Sequence, residues 1–130
     1  MALCISQFTV TVLEYDQALA FYVERLGFEK LEDTDLGGGK RWVRVAPGDG
    51  GASLLLAKAV TDEQRASVGH QTGGRVFVFI DTDDVWRDFR ELGARGVKFV
   101  RPPTEGGFGT AAVFEDLYGN LFDLVERKRT

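Results

Sequence analysis

Residues 7–28, QFTVTVLEYDQALAFYVERLGF, and residues 75–96, RVFVFIDTDDVWRDFRELGARG, decide the fold, because the same pattern occurs in both. Each stretch begins with about six residues rich in Val, Phe, Thr and Ile, a composition typical of a half-buried strand. A wide apolar helical stripe follows, and a glycine stands near the point where each helix would end. An internal repeat constrains the whole chain at once, so we predict two copies of one module.

Three further strand patterns follow each copy, and they define the rest of the module. We expect these strands at 28–36, 41–45 and 53–57, and again at 97–101, 110–115 and 121–126. In each module a turn with a glycine precedes the last strand, and Gly50 in the first turn corresponds to Gly119 in the second. We expect Pro102-Pro103 to end the strand at 97–101. The order strand, helix, three strands predicts an α+β fold of two tandem βαβββ modules. The alternative is one ferredoxin-like domain with extra strands.

One long connection separates the two copies. Residues 60–74 contain a short helix pattern opened by Thr61 or Asp62, and then a run of glycines and polar residues. We therefore predict a single domain over residues 1–130, with module one at about 5–59, a linker at about 60–74 and module two at about 75–127.

Composition narrows the partners and the compartment. The chain has 130 residues and a net charge of −4, with acidic and basic residues mixed along its length. Phosphate binding requires a concentrated basic face, so we expect no nucleic-acid partner. No apolar run approaches the roughly 20 residues that cross a bilayer, and the single cysteine cannot form an internal disulfide. We expect a cytoplasmic protein with no membrane partner.

Three motifs resemble one known superfamily, in the right order and over essentially the whole chain. They are FTVTV with the following DQAxAFY and LGF, then GGRVFVFIDTDDV, and finally FEDLYGNLFDLVE. They are similar to the vicinal oxygen chelate superfamily of glyoxalases, bleomycin-resistance proteins and extradiol dioxygenases. The resemblance implies paired βαβββ modules that form a curled mixed-sheet cup, the glyoxalase-like fold. It also implies a homodimer and a small-molecule ligand in the cup between modules.

Metal-dependent members of the superfamily hold a divalent ion with His or Glu from the first and last strands of each module. The resemblance maps these positions onto Gln7, Leu54, Arg75 and Asp123. Leucine has no ligand atom, and a guanidinium stays charged and has no acceptor to offer. We therefore expect no metal cofactor at these positions. A displaced site using His70 is the alternative, although this histidine has no carboxylate or cysteine at ligand spacing.

Arg75 and Asp123 should face the same cup if the repeat alignment holds. In one interpretation Arg75 binds an anionic group of a ligand, and Asp123 orients Arg75 or a ligand hydroxyl. In the other, the two residues form a permanent ion pair that closes a vestigial cavity.

Other candidate ligand-binding residues lie on strands and loops near the predicted cup. Trp42 and Arg44 share one strand face, where the indole could stack on a flat ligand or simply pack in the core. Phe108 lies in a glycine-rich loop, which suits a mobile lid or a plain turn. Gln71 could reach the site from the linker, and Gln7 could offer its side-chain amide.

These observations favour a glyoxalase/bleomycin-resistance-like protein with a degenerate metal site. It would bind a small anionic or aromatic organic ligand in the cup. The alternative is a metal-dependent lyase similar to lactoylglutathione lyase, or an isomerase or dioxygenase of the same superfamily. No His or Glu is evident near Arg75 to act as a base, so the binding role is preferred.

Overall fold

A computed structural model describes residues 1–48 and 51–128 of the chain. The chain divides into two compact units, Met1–Val68 and Gly69–Thr130. Among the described residues, no helix is both long enough and apolar enough to cross a membrane. The turn predicted before the last strand of module one contains Gly50, which lies outside the described residues.

The first unit is a four-stranded mixed sheet in the order β1-β4-β3-β2, in which β1 and β4 run parallel. Helix α1 follows β1 and continues as a π-helical segment that ends before Gly27, whose φ of 83° only glycine adopts readily. The elements are β1 (Gln7–Val12), α1 (Tyr15–Leu19), the π-helical segment (Ala20–Arg25), β2 (Glu29–Gly37), β3 (Lys40–Ala46), β4 (Ser53–Lys58) and α2 (Asp62–Ser67).

One face of this sheet forms the core of the first unit. Val10, Val12, Val43, Val45 and Leu56 are fully buried, and they alternate along their strands with partly exposed residues. This is the period of two that the sequence predicted. Tyr22 of the π-helical segment is also fully buried, and Phe28, just before β2, is buried beside it. The core therefore lies between the sheet and the first helical segment.

The second unit repeats this topology, with a four-stranded sheet in the order β5-β8-β7-β6 and a parallel β5–β8 pair. Its core is aromatic, with the Phe114 and Phe122 rings stacked at 5.1 Å and Phe99 packed edge-on against Phe114. The elements are β5 (Val76–Asp81), α3 (Val85–Ala94), β6 (Lys98–Gly106), β7 (Gly109–Glu115) and β8 (Leu121–Arg127). The predicted repeat of two βαβββ modules is confirmed.

The prediction that Pro102-Pro103 ends the sixth strand is wrong. β6 continues through both prolines to Gly106, with its pairing to β7 shifted between Arg101 and Thr104. The prolines are tolerated because β6 is an edge strand and the irregularity in register lies at the prolines. No sheet hydrogen bond is therefore required from their nitrogens.

Candidate functional site

The first sheet has a second face, which we call the open face, opposite the buried valines. Its central residues are Thr9 and Thr11 of β1, Leu55 and Ala57 of β4, and Trp42 of β3. The register places Thr9 beside Leu55 and Thr11 beside Ala57. All five are at least partly exposed. The face therefore offers short hydroxyls, small apolar groups and one indole to a ligand.

A cavity of about 570 Å³ lies on the open face. Leu55 and Ala57 contribute to its floor and Trp42 to its wall, and its lining is predominantly apolar. Residues from the start of α2, Thr61 and Gln64, border it on the other side. Small-molecule sites usually occupy about 300–1,000 Å³ and have mostly apolar linings with a few polar groups. The cavity thus has the size and chemistry of a site for a small organic molecule.

Trp42 is oriented by a polar cluster at the edge of the cavity. Its Nε1 donates a 3.1 Å hydrogen bond to Oε1 of Glu32, which also accepts one of 3.0 Å from Nη1 of Arg44. Nε of Arg44 donates to Oε1 of Gln7 at 3.0 Å. The structure therefore brings together three predicted site residues, Gln7, Trp42 and Arg44. Glu32 was not identified as a site residue from the sequence. Glu32 joins this cluster because the strand register places it opposite Arg44 on the neighbouring strand.

Arg41 joins helix α1 to the β2–β3 hairpin beside the cavity. Its guanidinium contacts Asp33 at 2.8 Å and Asp16 at 2.9 Å, and lies 5.1 Å from the centroid of the Tyr15 ring. The hydrogen bonds that Arg41 donates to Asp33 and Asp16 raise the pKa of Arg41, and those donated to Asp33 lower the pKa of Asp33. The arrangement fixes one wall of the cavity, because Tyr15 and Arg41 both line it.

Helix α2 rests on the cavity with little packing of its own. None of its residues is buried, and the helix begins with a capping box between Thr61 and Gln64. The Thr11 and Ser67 hydroxyl oxygens are 2.7 Å apart, which ties the end of the helix to β1. The helix predicted to open at Thr61 or Asp62 is confirmed, with Thr61 as its cap.

Asp123 lies on the corresponding face of the second sheet. It is paired in register with Phe79 of β5, which is 66% exposed, and with Val113 of β7. Its Oδ1 is shielded from solvent and accepts no hydrogen bond from the described residues. Burial raises the pKa of Asp123, while the positive charge of Arg101 acts in the opposite direction. An unsatisfied buried carboxylate oxygen is uncommon and marks a polar site.

Arg75 does not complete that site. It is exposed just before β5, and its backbone carbonyl accepts a hydrogen bond from the Thr72 hydroxyl. No ion pair joins Arg75 to Asp123 in the described part of the chain, and Arg101 is the cation that acts on Asp123. The alternative of a permanent Arg75–Asp123 ion pair is therefore wrong. The register pairs Arg101 with Val113, the cross-strand neighbour of Asp123.

The remaining predicted site residues lie in turns of the second unit. Gln71 donates its backbone N–H to Oδ1 of Asn120 at 3.2 Å. Phe108 occupies a tight β6–β7 turn closed by the pairing of Gly106 with Gly109, and its ring contacts the position of a Gly106 Cβ. His70 is exposed beside a turn closed by the N–H of Gly73.

The four positions that correspond to the superfamily's metal ligands do not form a donor set that fits a divalent ion. Gln7 already accepts a hydrogen bond from Arg44. Leu54 is buried on the core face of the first sheet beside Phe8. Asp123 lies on the face of the second sheet that is turned away from its core. No group of three His, Cys, Asp or Glu side chains among residues 1–48 and 51–128 could hold a metal.

The predicted equivalence of Leu54 and Asp123 is also wrong. With Val12 aligned to Ile80, Thr11 corresponds to Phe79, and their partners Ala57 and Asp123 then correspond. The sequence alignment matched the turn glycines and missed the shift in register, and an odd shift moves a side chain to the other face. Alanine offers no ligand either, so the correction leaves the metal chemistry unchanged.

The chain consists of two copies of a βαβββ module, and the sheet of each has one buried face and one partly exposed face. This places it in the class of paired-module proteins. The sequence profile of the Glyoxalase/Bleomycin resistance protein/Dioxygenase superfamily matches residues 5–124. The chain belongs to this superfamily.

Individual relatives match along nearly the whole chain. A protein of Shewanella frigidimarina (strain NCIMB 400) is 54% identical over 119 residues, covering 90% of this chain and 88% of the relative. UcmS2, whose crystal structure is known, has 32% sequence identity to this chain. The two structures superpose with a TM-score of 0.83 over 95% of this chain and 98% of UcmS2. TnmS3, an antibiotic binding protein from Streptomyces sp. CB03234, is 32% identical with a TM-score of 0.79, covering 98% and 99%.

Proposed function

We propose that this protein is a binding protein that holds a small, flat aromatic molecule in the cavity on the open face of the first sheet. The observation that carries the proposal is an apolar cavity of about 570 Å³ walled by Trp42. An indole presents a large flat surface at little cost in conformational entropy, and it favours aromatic partners. The bond from Trp42 to Glu32 holds that surface in one orientation before a ligand arrives.

The relationship to TnmS3 supports this proposal. That protein is an antibiotic binding protein, and it is similar to this chain over nearly the full length of both. Fold alone does not determine function, which depends on the chemistry of the site. Here the site has an aromatic wall, an apolar floor and hydroxyl groups, which suit recognition of an organic molecule by shape and stacking.

We further propose that binding requires no metal ion. A lyase, isomerase or dioxygenase of the superfamily would need three or four nitrogen or oxygen ligands and an open coordination position. Gln7 is bonded to Arg44, Leu54 faces the core, and Asp123 has Arg101 as its nearby charge. The chemistry of these positions therefore favours binding over metal-dependent catalysis.

The proposal is tested with pyrene-1-carboxamide, a neutral, flat and fluorescent probe. In a Trp86→Phe background Trp42 is the remaining tryptophan, so quenching of indole emission reports on the cavity. We expect saturable quenching in the micromolar range. Calorimetric titration of Trp42→Ala should show affinity reduced by about tenfold, because both the stacking and the buried area are lost.

Trp86→Ala is the matched control for that measurement. Trp86 is 49% exposed on α3 and does not line the cavity, so its replacement should leave the affinity for the probe unchanged. An affinity that Trp42→Ala leaves unchanged, or no binding of any flat aromatic probe, would contradict the proposed function.

We also propose that the protein is a cytoplasmic homodimer. Superfamily membership supports the dimer, and the exposed apolar side chains Phe79 and Val100 offer surface that association would bury. Light scattering coupled to size exclusion should give twice the mass of 14.4 kDa. A monomer at micromolar concentration would contradict this part of the proposal.

A further inference from the structure

We infer that the aromatic ligand carries an anionic group, and that Lys40 at the rim of the cavity binds it. This inference rests on the proposed function and adds the charge of the ligand to it. The charged side chains around the cavity differ in whether they already have partners.

Among residues 1–48 and 51–128, basic side chains line the cavity and acidic ones do not. Lys40, Arg41 and Lys58 contribute to its surface. An apolar floor beside such a lining strengthens electrostatic interactions, because water screens them less than at an open surface. The positive charge available to a ligand at the cavity therefore depends on which of these three side chains is already paired with a carboxylate of the protein.

Two of the three cations have partners. Arg41 forms ion pairs with Asp33 at 2.8 Å and Asp16 at 2.9 Å, and each of its guanidinium nitrogens donates a hydrogen bond to one of these carboxylates. Lys58 lies 3.2 Å from a carboxylate oxygen of Glu14. Binding an anion at either residue would compete with a charge already in place.

Lys40 differs from both. Within residues 1–48 and 51–128 it takes part in no ion pair, and its side chain is exposed at the cavity. It is the first residue of β3, directly after the turn at Gly38 and Gly39. Asp35, which precedes the turn on the same hairpin, accepts the backbone N–H of Gly37 at 2.8 Å and does not line the cavity.

The geometry suits a ligand with two parts. A flat ring system against Trp42 would occupy the apolar floor, and a carboxylate, sulfonate or phenolate at one edge would reach the Lys40 ammonium. An ammonium group offers three donors and acts as a compact positive charge that tolerates several anion geometries. The ring would supply most of the affinity, and Lys40 would discriminate between charged and neutral ligands.

The test compares two probes that share one ring system, pyrene-1-carboxylate and pyrene-1-carboxamide. We expect the carboxylate to bind about fivefold more tightly, the upper end for a solvent-accessible ion pair. Lys40→Gln should abolish this preference and leave the affinity for the carboxamide nearly unchanged. Lys98→Gln removes the same charge from the second sheet, outside the cavity, and should keep the preference.

Each outcome separates the charge inference from the proposed function. Equal affinities for the two probes, or a preference that survives Lys40→Gln, would overturn the inference about Lys40 and leave the aromatic site intact. Binding of neither probe would overturn both. Loss of the preference in Lys98→Gln as well as Lys40→Gln would also overturn the inference, because it would indicate a general effect of net charge.

Discussion

The indole of Trp42 and the carboxylate of Glu32 are joined across neighbouring strands by a hydrogen bond of 3.1 Å. The same carboxylate oxygen accepts a second bond from Arg44, which in turn donates to Gln7. Residues from three strands thus hold one side chain at the edge of the cavity. Orienting an aromatic group before binding reduces the entropy lost when the ligand arrives.

Glu32→Ala should weaken binding of pyrene-1-carboxamide by about threefold, because Trp42 loses the acceptor that orients it. The free energy of unfolding should change by less than about 1 kcal/mol, since the Glu32 side chain is 42% exposed. Calorimetry and urea unfolding measure the two effects. Glu29→Ala, an exposed glutamate at the start of the same strand, is the control and should change neither. Equal affinities for the two variants would show that Glu32 does not position the indole.

Asp123→Asn should stabilise the protein at neutral pH by on the order of 1 kcal/mol, because the unsatisfied carboxylate loses its charge. Burial raises the pKa of Asp123 above its ordinary value of 3.8, so the folded state binds the proton more tightly than the unfolded state. The stability contributed by this group is therefore present below pH 3.8 and is lost as pH rises through the folded-state pKa.

Urea unfolding across this pH range should thus show the advantage of Asp123→Asn at neutral pH and its disappearance in acid. Asp81→Asn is the control, because Asp81 is 68% exposed and pairs with Arg127 at 3.2 Å on the same sheet. It should be neutral or slightly destabilising. A loss of stability in Asp123→Asn at neutral pH would contradict the assignment of a desolvated, unpaired carboxylate.

Arg41→Ala should lower the free energy of unfolding by about 1 kcal/mol at neutral pH, since it removes two ion pairs and the contact with Tyr15. Hydrogen bonding to Arg41 lowers the pKa of Asp33, so this contribution is present above the ordinary pKa and is lost as pH falls through the folded-state value. Thermal unfolding should therefore show a smaller penalty in acid. Lys30→Ala, which removes a 3.6 Å contact with the same carboxylate, should cost much less. Equal penalties would refute a special role for Arg41.

Gly69→Ala should be strongly destabilising, because a Cβ at this position would lie 2.0 Å from the carbonyl oxygen of Tyr118. The backbone there has a φ of 75°, and both the clash and the left-handed conformation oppose a side chain. Gly73→Ala is the control, with a φ of 65° and open space around the added carbon. Gly69→Ala should cost at least about 2 kcal/mol more in urea unfolding. A similar cost for both would mean that the approach to Tyr118 is not fixed.

Titration with Ni²⁺, Zn²⁺, Mn²⁺ and Fe²⁺ should leave the melting temperature unchanged if the proposed metal-free binding is correct. A metal bound to the folded state at a hundred times its Kd would add about 2.7 kcal/mol of stability, which a thermal shift detects readily. The control is EDTA, which should also have no effect on the purified protein. Stoichiometric metal that is lost in Asp123→Asn or His70→Ala would contradict the proposal and favour a metal-dependent activity.

Local patterns determined the architecture. The alternation of Val10 and Val12, the apolar stripe of α1 and the stop at Gly27 are encoded within a few residues, so their order along the chain could be predicted. Repetition of that order in the second half predicted two βαβββ modules. The cap of α2 at Thr61 is a similarly local interaction, and it too was predictable.

Only the tertiary structure decided which side chains meet at the site. Glu32, Arg44 and Gln7 are brought together by strand register, which depends on packing and turns far from any single residue. The same cause explains why Leu54 was wrongly matched to Asp123, and the edge position of β6 explains why its prolines did not end it. The sequence by itself determined the modules, because periodicity is local. The cavity and the partners of its charges depend on contacts between residues distant in the chain, which periodicity does not encode.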